Sequence, residues 1–354
     1  MKGIKGVMQK NAEKNFRFAV IGCGPMGKNH AKGILDMGCT VPYFCDTNDE
    51  RLAQIKEVFG EDGISYIKDY NELVDNPEVD GVILVTPDQI HCEMVTKFLR
   101  AGKYVFCEKP MALTVEECEE MMRVEKETNG VLMIGQICRC TPGFMLAKKL
   151  IDEGRIGELT FIESEYAHNY INARGIDDWR MVPARHGFIG GGCHAVDLLR
   201  WIAGDPTEIH AYANHKSLLD WPTDDTTISI MKFPNNVIGK VFVSTGCKRK
   251  YTMRSVFYGT EGTIICDNRT PYIRLFETNE ELGTNFAEDP QKLPVELSDH
   301  NCALEMEMFI TALREGAEMP VTSYDGASTV AVCCAGVQSI KEDRPITIKY
   351  PEKY

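Results

Sequence analysis

No two of the fourteen cysteines in this 354-residue chain have two residues between them, so their spacing spells neither a zinc knuckle nor a redox dithiol. Cys138 and Cys140 have one residue between them, Cys333 and Cys334 are adjacent, and Cys45 and Cys107 close apolar runs. A free thiol in such a run behaves as a small buried hydrophobe, and the pattern is that of reduced structural thiols in a cytoplasmic protein without a metal site. The chain also lacks any apolar stretch near the roughly 20 residues of a spanning helix. Its first fifteen residues carry Lys2, Lys5, Lys10 and Lys14 but no apolar core for a secretory signal, and read as a frayed arm. Positive charge is short as well. The 39 basic side chains against 52 acidic ones leave a net charge of -13, which repels phosphodiester backbones and anionic lipid, so neither nucleic acid nor membrane is an expected partner.

What is present fills about two domains, with 44% hydrophobic residues for their cores. From Phe16 to about Ile137, short apolar runs alternate with amphipathic stretches, as successive βαβ units do. Strands are expected at 16–21, 40–45, 79–85, 104–107 and 131–134, with a shorter one near Ser65-Tyr66. The run Gly81 to Val85 is continuous rather than alternating, which predicts a strand covered on both faces in a parallel sheet. Thr114 with Glu117 spells a capping box, and Asp69 a second cap. After Thr141-Pro142 comes one amphipathic segment, 143–153. Runs rich in β-branched and aromatic residues follow at 159–166, 209–213, 226–233, 237–244, 255–258 and 263–266. Turns such as Pro234-Asn235-Asn236 predict antiparallel hairpins between consecutive strands, and late helices are expected at 302–315 and 326–340. The expected architecture is an α/β Rossmann domain with a parallel doubly wound sheet, then an α+β domain with a large open, mostly antiparallel sheet. The boundaries are an arm at 1–15, a dinucleotide-binding domain at 16–138, and a substrate-binding and oligomerisation domain at 139–354.

The strand Phe16 to Ile21 leads into Gly22-Cys23-Gly24-Pro25-Met26-Gly27. The first two glycines permit a tight turn and close approach of backbone to a pyrophosphate, and the third lets helix and strand pack closely. Pro25 suits a first helical turn, whose N–H groups and dipole then face phosphates. Asp46 ends the second apolar run about 20 residues on, where an acid bonds ribose hydroxyls and repels a 2′-phosphate, favouring NAD over NADP. As a plain helix cap it would leave that choice open. Thr86-Pro87 lies at the exit of the 79–85 strand, on the sheet edge where ligands bind, and His91 beyond it reads as structural. Glu108-Lys109-Pro110 closes the run Tyr104 to Cys107.

These residues resemble the Gfo/Idh/MocA oxidoreductases, which include glucose-fructose oxidoreductase and inositol dehydrogenase. The resemblance spans Phe16 to Lys349. It rests on the glycine turn, Thr86-Pro87 with His91, Glu108-Lys109-Pro110, Arg139 before Thr141-Pro142, LIDEGRIG at 150–157, Trp179-Arg180, GGGCHAVDLLRW at 190–201, and the helix from Glu305 to Gly316. It implies substrate held between the nicotinamide and the open sheet, with Lys109 beside the reacting hydroxyl. The cofactor pocket it implies comprises Gly22, Cys23, Gly24, Pro25, Met26, Gly27, Asp46, Thr86, Pro87, Glu108, Lys109 and Pro110, with a cis peptide common at that proline. His194 matches the motif histidine and Asp197 the acid one turn beyond. The chain departs at Gly190, where the better-known pattern has an aspartate, unless Asp177 or Asp178 supplies a carboxylate.

Hydride can leave a carbinol only as its hydroxyl proton leaves for a base. His194 is assigned as that base and Lys109 as the group that positions the hydroxyl and shares its proton, with the reverse assignment left open. His168, Trp179 and Arg180, in a cluster with Tyr166 and Tyr170, are expected substrate contacts, and the Gly187–Gly192 loop is expected to flex over the ligand. The implied activity is NAD-dependent oxidation of a secondary hydroxyl on a sugar or glycoside. Lysine and histidine without the motif aspartate resemble the branch that oxidises C3 of glucosides. Alternatives are an inositol or nucleotide-sugar dehydrogenase or reductase, an NAD-dependent glycoside hydrolase, and a non-catalytic NAD-sensing regulator. The open sheet predicts a homo-oligomer.

Overall fold

The computed structural model describes residues 14–278, 289–298 and 300–353, which leaves most of the expected arm outside the described residues. The chain divides into two compact units. One takes the residues up to 136 with 301–327 and 352 onward, and the other takes 137–300 and 328–351.

In the first unit, strands β1 (Arg17–Ile21), β2 (Thr40–Cys45), β3 (Ser65–Ile67), β4 (Gly81–Leu84), β5 (Tyr104–Glu108) and β6 (Leu132–Gly135) form one sheet in the order β3-β2-β1-β4-β5-β6. Every neighbouring pair is parallel. The order reverses at β1 and β4, which opens a crevice at their carboxyl ends, the ligand-binding edge of such sheets. Helices α1 (Pro25–Asp36), α2 (Asp49–Phe59), α3 (His91–Arg100) and α4 (Val115–Thr128) alternate with the strands. All four residues of β4 are buried, as its unbroken apolar run predicts. The capping box is present: Thr114 Oγ1 accepts from the Glu117 N–H, and the Glu117 carboxylate accepts from the Thr114 N–H, each at 3.2 Å. Losing such a cap costs about 1 kcal/mol.

The second unit opens with α5 (Pro142–Asp152) and β7 (Leu159–Ala167), followed by a short α6 (Gly187–Gly190) and α7 (Cys193–Ala203). Strands β8 (Glu208–Asn214), β9 (Thr226–Lys232), β10 (Ile238–Ser244), β11 (Thr252–Gly259), β12 (Gly262–Asp267), β13 (Tyr272–Glu277) and β14 (Gln291–Pro294) follow. After them come α8 (Cys302–Glu315), α9 (Ser323–Glu342) and β15 (Ile346–Thr347). The nine strands run β14-β13-β12-β11-β7-β10-β9-β8-β15. β9 and β10, and β11 and β12, pair antiparallel as their turns predict, but β7 and β10 are parallel. A parallel pair needs a long crossover, and the segment carrying α6 and α7 between β7 and β8 gives the chain room to return in that sense. β13, β14 and β15 extend the sheet beyond the strands legible from sequence.

One face of this sheet is open, and its pattern is inverted. On β9, Thr227 and Ser229 are buried while Ile228 and Ile230 are 40% and 56% exposed. The buried face carries polar groups that bond each other, such as Ser255 Oγ donating to or accepting from Ser164 Oγ at 2.9 Å.

The contiguous division expected from sequence differs from the contact division at α8, which belongs with the first unit. Phe309 explains why: its ring lies 5.8 Å from both Phe18 on β1 and Phe106 on β5. All three are fully buried, each contributing about 1.5–3 kcal/mol by burial. Gly33 on α1 makes the approach possible, since a Cβ there would lie 3.1 Å from the Met306 side chain. Among the described residues no helix is long and apolar enough to cross a membrane. None of the fourteen cysteines, all of them among the described residues, is bridged to another in the structure, and eleven are buried.

Candidate active site

β1 runs out into Gly22, whose φ of +101° and carbonyl neighbour exclude a side chain: a Cβ would sit 2.3 Å from the Val85 oxygen. A Cβ on Gly27 would meet the Gly22 oxygen at 2.0 Å, which is the close helix–strand contact the third glycine allows. Pro25 opens α1 behind Gly24, and no side chain caps this terminus, so its first N–H groups are left for an anion. Asp46 is anchored to this turn. Its Oδ2 accepts from the Cys23 N–H at 2.8 Å and its Oδ1 from the Asn48 N–H at 2.9 Å. Asn48 rather than Asp46 caps α2, accepting from the Arg51 N–H. Each Asp46 oxygen keeps a second acceptor site for a ribose hydroxyl. Arg51 reaches back to the same turn, its Nη1 lying 2.2 Å from where a Gly24 Cβ would stand.

Burial, with Asp46 adding to it, pushes the Cys23 thiol up, so that it stays protonated. Met26 is half-buried in the first turn of α1, and Thr86 and Pro87 are partly exposed beyond β4. His91 is fully buried, with Nδ1 3.0 Å from the Pro110 carbonyl oxygen and Nε2 3.1 Å from that of Thr86. It ties the exits of β4 and β5 together, which is the structural role expected of it. A glycine turn open to backbone approach, an uncapped helix terminus and an anchored acid at the next strand end together fit a dinucleotide.

At the end of β5, Glu108 turns inward: its Oε1 lies 2.8 Å from His30 Nε2, and its Oε2 accepts from the Lys109 N–H at 3.1 Å. It does not pair with the lysine ammonium. Lys109 Nζ makes no hydrogen bond or ion pair with any described residue, and the Lys109–Pro110 peptide is cis.

In the second unit, His194 stands in the first turn of α7, which has Gly192 at its cap position, so the imidazole does not cap the helix. His194 is 2% exposed. Its Nδ1 lies 3.5 Å from Cys138 Sγ, and its ring stacks on Tyr166 with centroids 5.6 Å apart. The Tyr166 hydroxyl bonds both His168 Nδ1 at 3.0 Å and the Tyr170 hydroxyl at 2.9 Å. Burial drives the Tyr166 phenol far above its usual range, so it remains a donor. Tyr251 and His300 complete this aromatic group, His300 lying 5.9 Å from His194 and stacking on Tyr251.

Asp197 has a different task. Arg139 grips it bidentately, Nε to Oδ2 and Nη2 to Oδ1 at 2.8 Å each, and the Thr329 hydroxyl donates to Oδ1 at 3.1 Å. It is fully buried and belongs to the scaffold behind His194. At Gly190 the space of a side chain is taken by a guanidinium, since a Cβ would lie 2.4 Å from Arg185 Nη1. Arg185 donates through Nη2 to the Gly190 carbonyl at 3.2 Å. The expectation that the Gly187–Gly192 loop flexes is overturned. Residues 187–200 are buried throughout, and Cβ atoms at Gly191 and Gly192 would collide with Tyr166 and the Phe188 carbonyl. Its glycines serve close packing.

Trp179 lies between two cations, with Arg180 Cζ 4.6 Å and Arg185 Cζ 4.9 Å from its ring. Arg180 also donates to the Ala173 carbonyl at 2.8 Å. His168, Trp179 and Arg180 are thus all in the second unit with His194, whereas Lys109 is in the first. Asp178 is exposed, and the Asp177 side chain lies outside what the structure describes. Sequence reasoning did not single out Cys138 beside His194, Arg185 at Gly190, or Tyr251 and His300. Apart from their residue types, no local pattern marks them.

The comparisons with known proteins agree with the fold. The profile of the GFO_IDH_MocA oxidoreductase family, described as an NAD-binding Rossmann fold, matches residues 16–136, and that of the family's C-terminal domain matches residues 144–265. An inositol 2-dehydrogenase of Rhizobium meliloti (strain 1021) is 28% identical over 346 residues, covering 94% of this chain and 99% of the relative. A levoglucosan dehydrogenase of Pseudarthrobacter phenanthrenivorans is 26% identical over 318 residues, covering 78% and 77%. In fold, the chain matches a solved levoglucosan dehydrogenase in complex with NADH at a TM-score of 0.85 and 22% identity, covering 95% of this chain and all of that one. The chain belongs to the Gfo/Idh/MocA oxidoreductases, and its glycine-turn unit is the family's NAD-binding domain.

Proposed function

We propose that this protein oxidises a secondary hydroxyl of a sugar or glycoside to a ketone with NAD, C3 of a glucoside being the favoured position. The observation that carries this reading is the unengaged Lys109 amine. It follows β5 at the ligand-binding edge of the NAD domain, while the neighbouring Glu108 is occupied by His30. Relatives named for inositol and levoglucosan support a cyclic polyol or sugar as substrate. Gly190, with Arg185 filling its side-chain space, removes the aspartate of the classical inositol-oxidising pattern and supports the glycoside reading.

When bound, NAD supplies the hydride acceptor. Gly22 to Gly27 and the N-terminus of α1 would hold its pyrophosphate, Asp46 its ribose, and Thr86, Pro87 and Pro110 the flank of the pocket. The chain's own part is proton transfer. In this reading His194 takes the hydroxyl proton as general base, and Lys109 positions the hydroxyl and shares its proton. Trp179, Arg180 and His168 grip the remaining hydroxyls. Loss of a proton-transfer group costs about 10²–10⁴-fold in rate. Lys109→Met and His194→Ala should each lose that much kcat in an NADH assay over a panel of glucosides, free sugars and inositols, while binding NAD normally. Normal turnover by both variants sinks the assignment, and oxidation at a carbon other than C3, read by NMR of the product, sinks the finer claim.

The reading includes a homo-oligomer built on the open sheet face, where Ile228, Ile230, Ile238 and Tyr258 are all at least 40% exposed. Light scattering should give at least a dimer, and Ile230→Lys should weaken it. A monomer at micromolar concentration contradicts this.

A further inference from the structure

Three buried ionisable side chains of the first unit lie together with fewer hydrogen bonds than their atoms can make. His30 is on α1, Glu108 ends β5, and Glu305 is in the first turn of α8. One nitrogen or oxygen from each lies within 4.8 Å of those of the other two. His30 and Glu305 are fully buried, and Glu108 is 7% exposed. The two carboxyls are equipped differently. Glu108 faces two donors, His30 Nε2 and the Lys109 N–H. Glu305 has none, for neither of its oxygens has a hydrogen-bond partner, and His30 Nδ1 is also unpartnered.

A buried carboxylate keeps its charge only where donors replace the lost water, and otherwise it neutralises by taking a proton. Two adjacent carboxylates reinforce the choice, because their like charges cannot both persist in low dielectric. The donor set therefore selects which carboxyl is ionised. We propose that His30, Glu108 and Glu305 form a buried triad that sets the charge facing Lys109, with Glu108 as the single anion and Glu305 as a neutral acid holding the remaining proton. This rests on the role given to Lys109 above. Glu108 and Glu305 act here as positioning residues: Glu108 fixes the Lys109 backbone through its N–H, and Glu305 keeps a second negative charge away from the amine.

The electrostatics agree in direction. Burial, then the Glu108 charge, pushes Glu305 far above the carboxylate range, with Lys109 opposing. Burial would raise Glu108 too, but the His30 hydrogen bond and charge, joined by Lys109, hold it below its usual range. Cys302, on the same helix as Glu305, and Cys107, next to Glu108 on β5, are further titratable neighbours. Both thiols are driven up by burial and by the Glu108 charge, so they contribute no charge.

Two measurements test the triad. The infrared difference spectrum between wild type and E305Q should contain the carbonyl stretch of a protonated carboxyl, present from mildly acid to mildly alkaline buffer. Its absence at neutral pH overturns the proposal. The second is the pH profile of kcat/KM for the NAD-loaded protein. Removing the Glu108 charge disfavours the ammonium form in which Lys109 holds the substrate hydroxyl, so the alkaline limb of E108Q should move about 1 unit or more toward lower pH. E305Q replaces one neutral group with another and should keep the wild-type limb. Equal shifts in both variants mean that Glu305 is ionised, and the triad is wrong. The infrared arm needs only wild type and the isosteric E305Q, so it stands if E108Q misfolds. It is also independent of the proposed function: normal turnover by both Lys109→Met and His194→Ala would sink that reading while leaving the band in place.

Discussion

Asp197→Asn changes almost no volume and should nevertheless be among the more damaging substitutions in the chain. Asp197 is fully buried and Arg139 nearly so. Both carboxylate oxygens take an Arg139 nitrogen at 2.8 Å, and Arg200 Nη1 stands 3.8 Å away. The amide removes the carboxylate charge that Arg139 grips and turns an N–H donor toward another donor. Breaking one side of a buried pair costs about 3–5 kcal/mol. At about 2–4 °C per kcal/mol for a unit of this size, Tm should fall by roughly 6–20 °C. Urea titration followed by tryptophan fluorescence is a suitable assay, because Arg139 Cζ lies 6.0 Å from the Trp201 ring. Arg139→Met with Asp197→Leu removes both charges together and should be more stable than Asp197→Asn alone, since Arg200 retains Asp205 as a partner at 2.6 Å. Two results would refute this reasoning: a loss below about 1 kcal/mol for Asp197→Asn, or a double variant less stable than the single one. Because Asp197 is scaffold, turnover by the folded fraction of Asp197→Asn should stay within tenfold of wild type, unlike His194→Ala.

Asp46→Ala removes a charged acceptor worth about 1.5–3 kcal/mol, so NAD should bind roughly 10–150-fold more weakly. The Arg51 guanidinium beside Gly24 should then improve relative binding of NADP, and titration with both nucleotides showing unchanged preference would exclude the role given to Asp46. Asp225 supplies a pH test. Burial would raise its carboxyl, but the N–H groups of Leu218, Ser217 and Lys216 and the Thr226 hydroxyl prevail and hold it low. A carboxyl depressed in the folded state stabilises above its unfolded pKa of about 3.9, and that contribution disappears as pH falls through the folded value. Asp225→Asn should therefore lower Tm at neutral pH, with the gap to wild type closing below about pH 4. A gap independent of pH contradicts this.

Much of the first unit was legible in sequence because its signals are local. A strand covered on both faces needs an unbroken apolar run, as at Gly81 to Leu84. The capping box at Thr114 and Glu117 closes within four residues. The glycine turn is demanded by a φ and a carbonyl contact that no other residue tolerates. The candidates for the cofactor site could therefore be proposed residue by residue from local sequence. The second unit was less transparent. Runs such as Thr226 to Lys232 announced a strand, but the inverted exposure of its isoleucines and the parallel pairing of β7 with β10 depend on where the chain returns.

By itself the sequence determined the order of the elements and the dinucleotide turn, since each follows from steric rules or periodicities that span a few residues, while Lys109 and His194 became proton-transfer candidates through the resemblance of their motifs to the family's. Only the tertiary structure decided what stands around those candidates. Phe309 seats α8 on the first sheet, His30 and Glu305 surround Glu108, Arg139 claims Asp197, Cys138 meets His194, and Arg185 takes the space of the missing aspartate. Such contacts join residues tens to hundreds of positions apart. Close packing and the need to satisfy buried charge select them, and neither acts until the chain has folded.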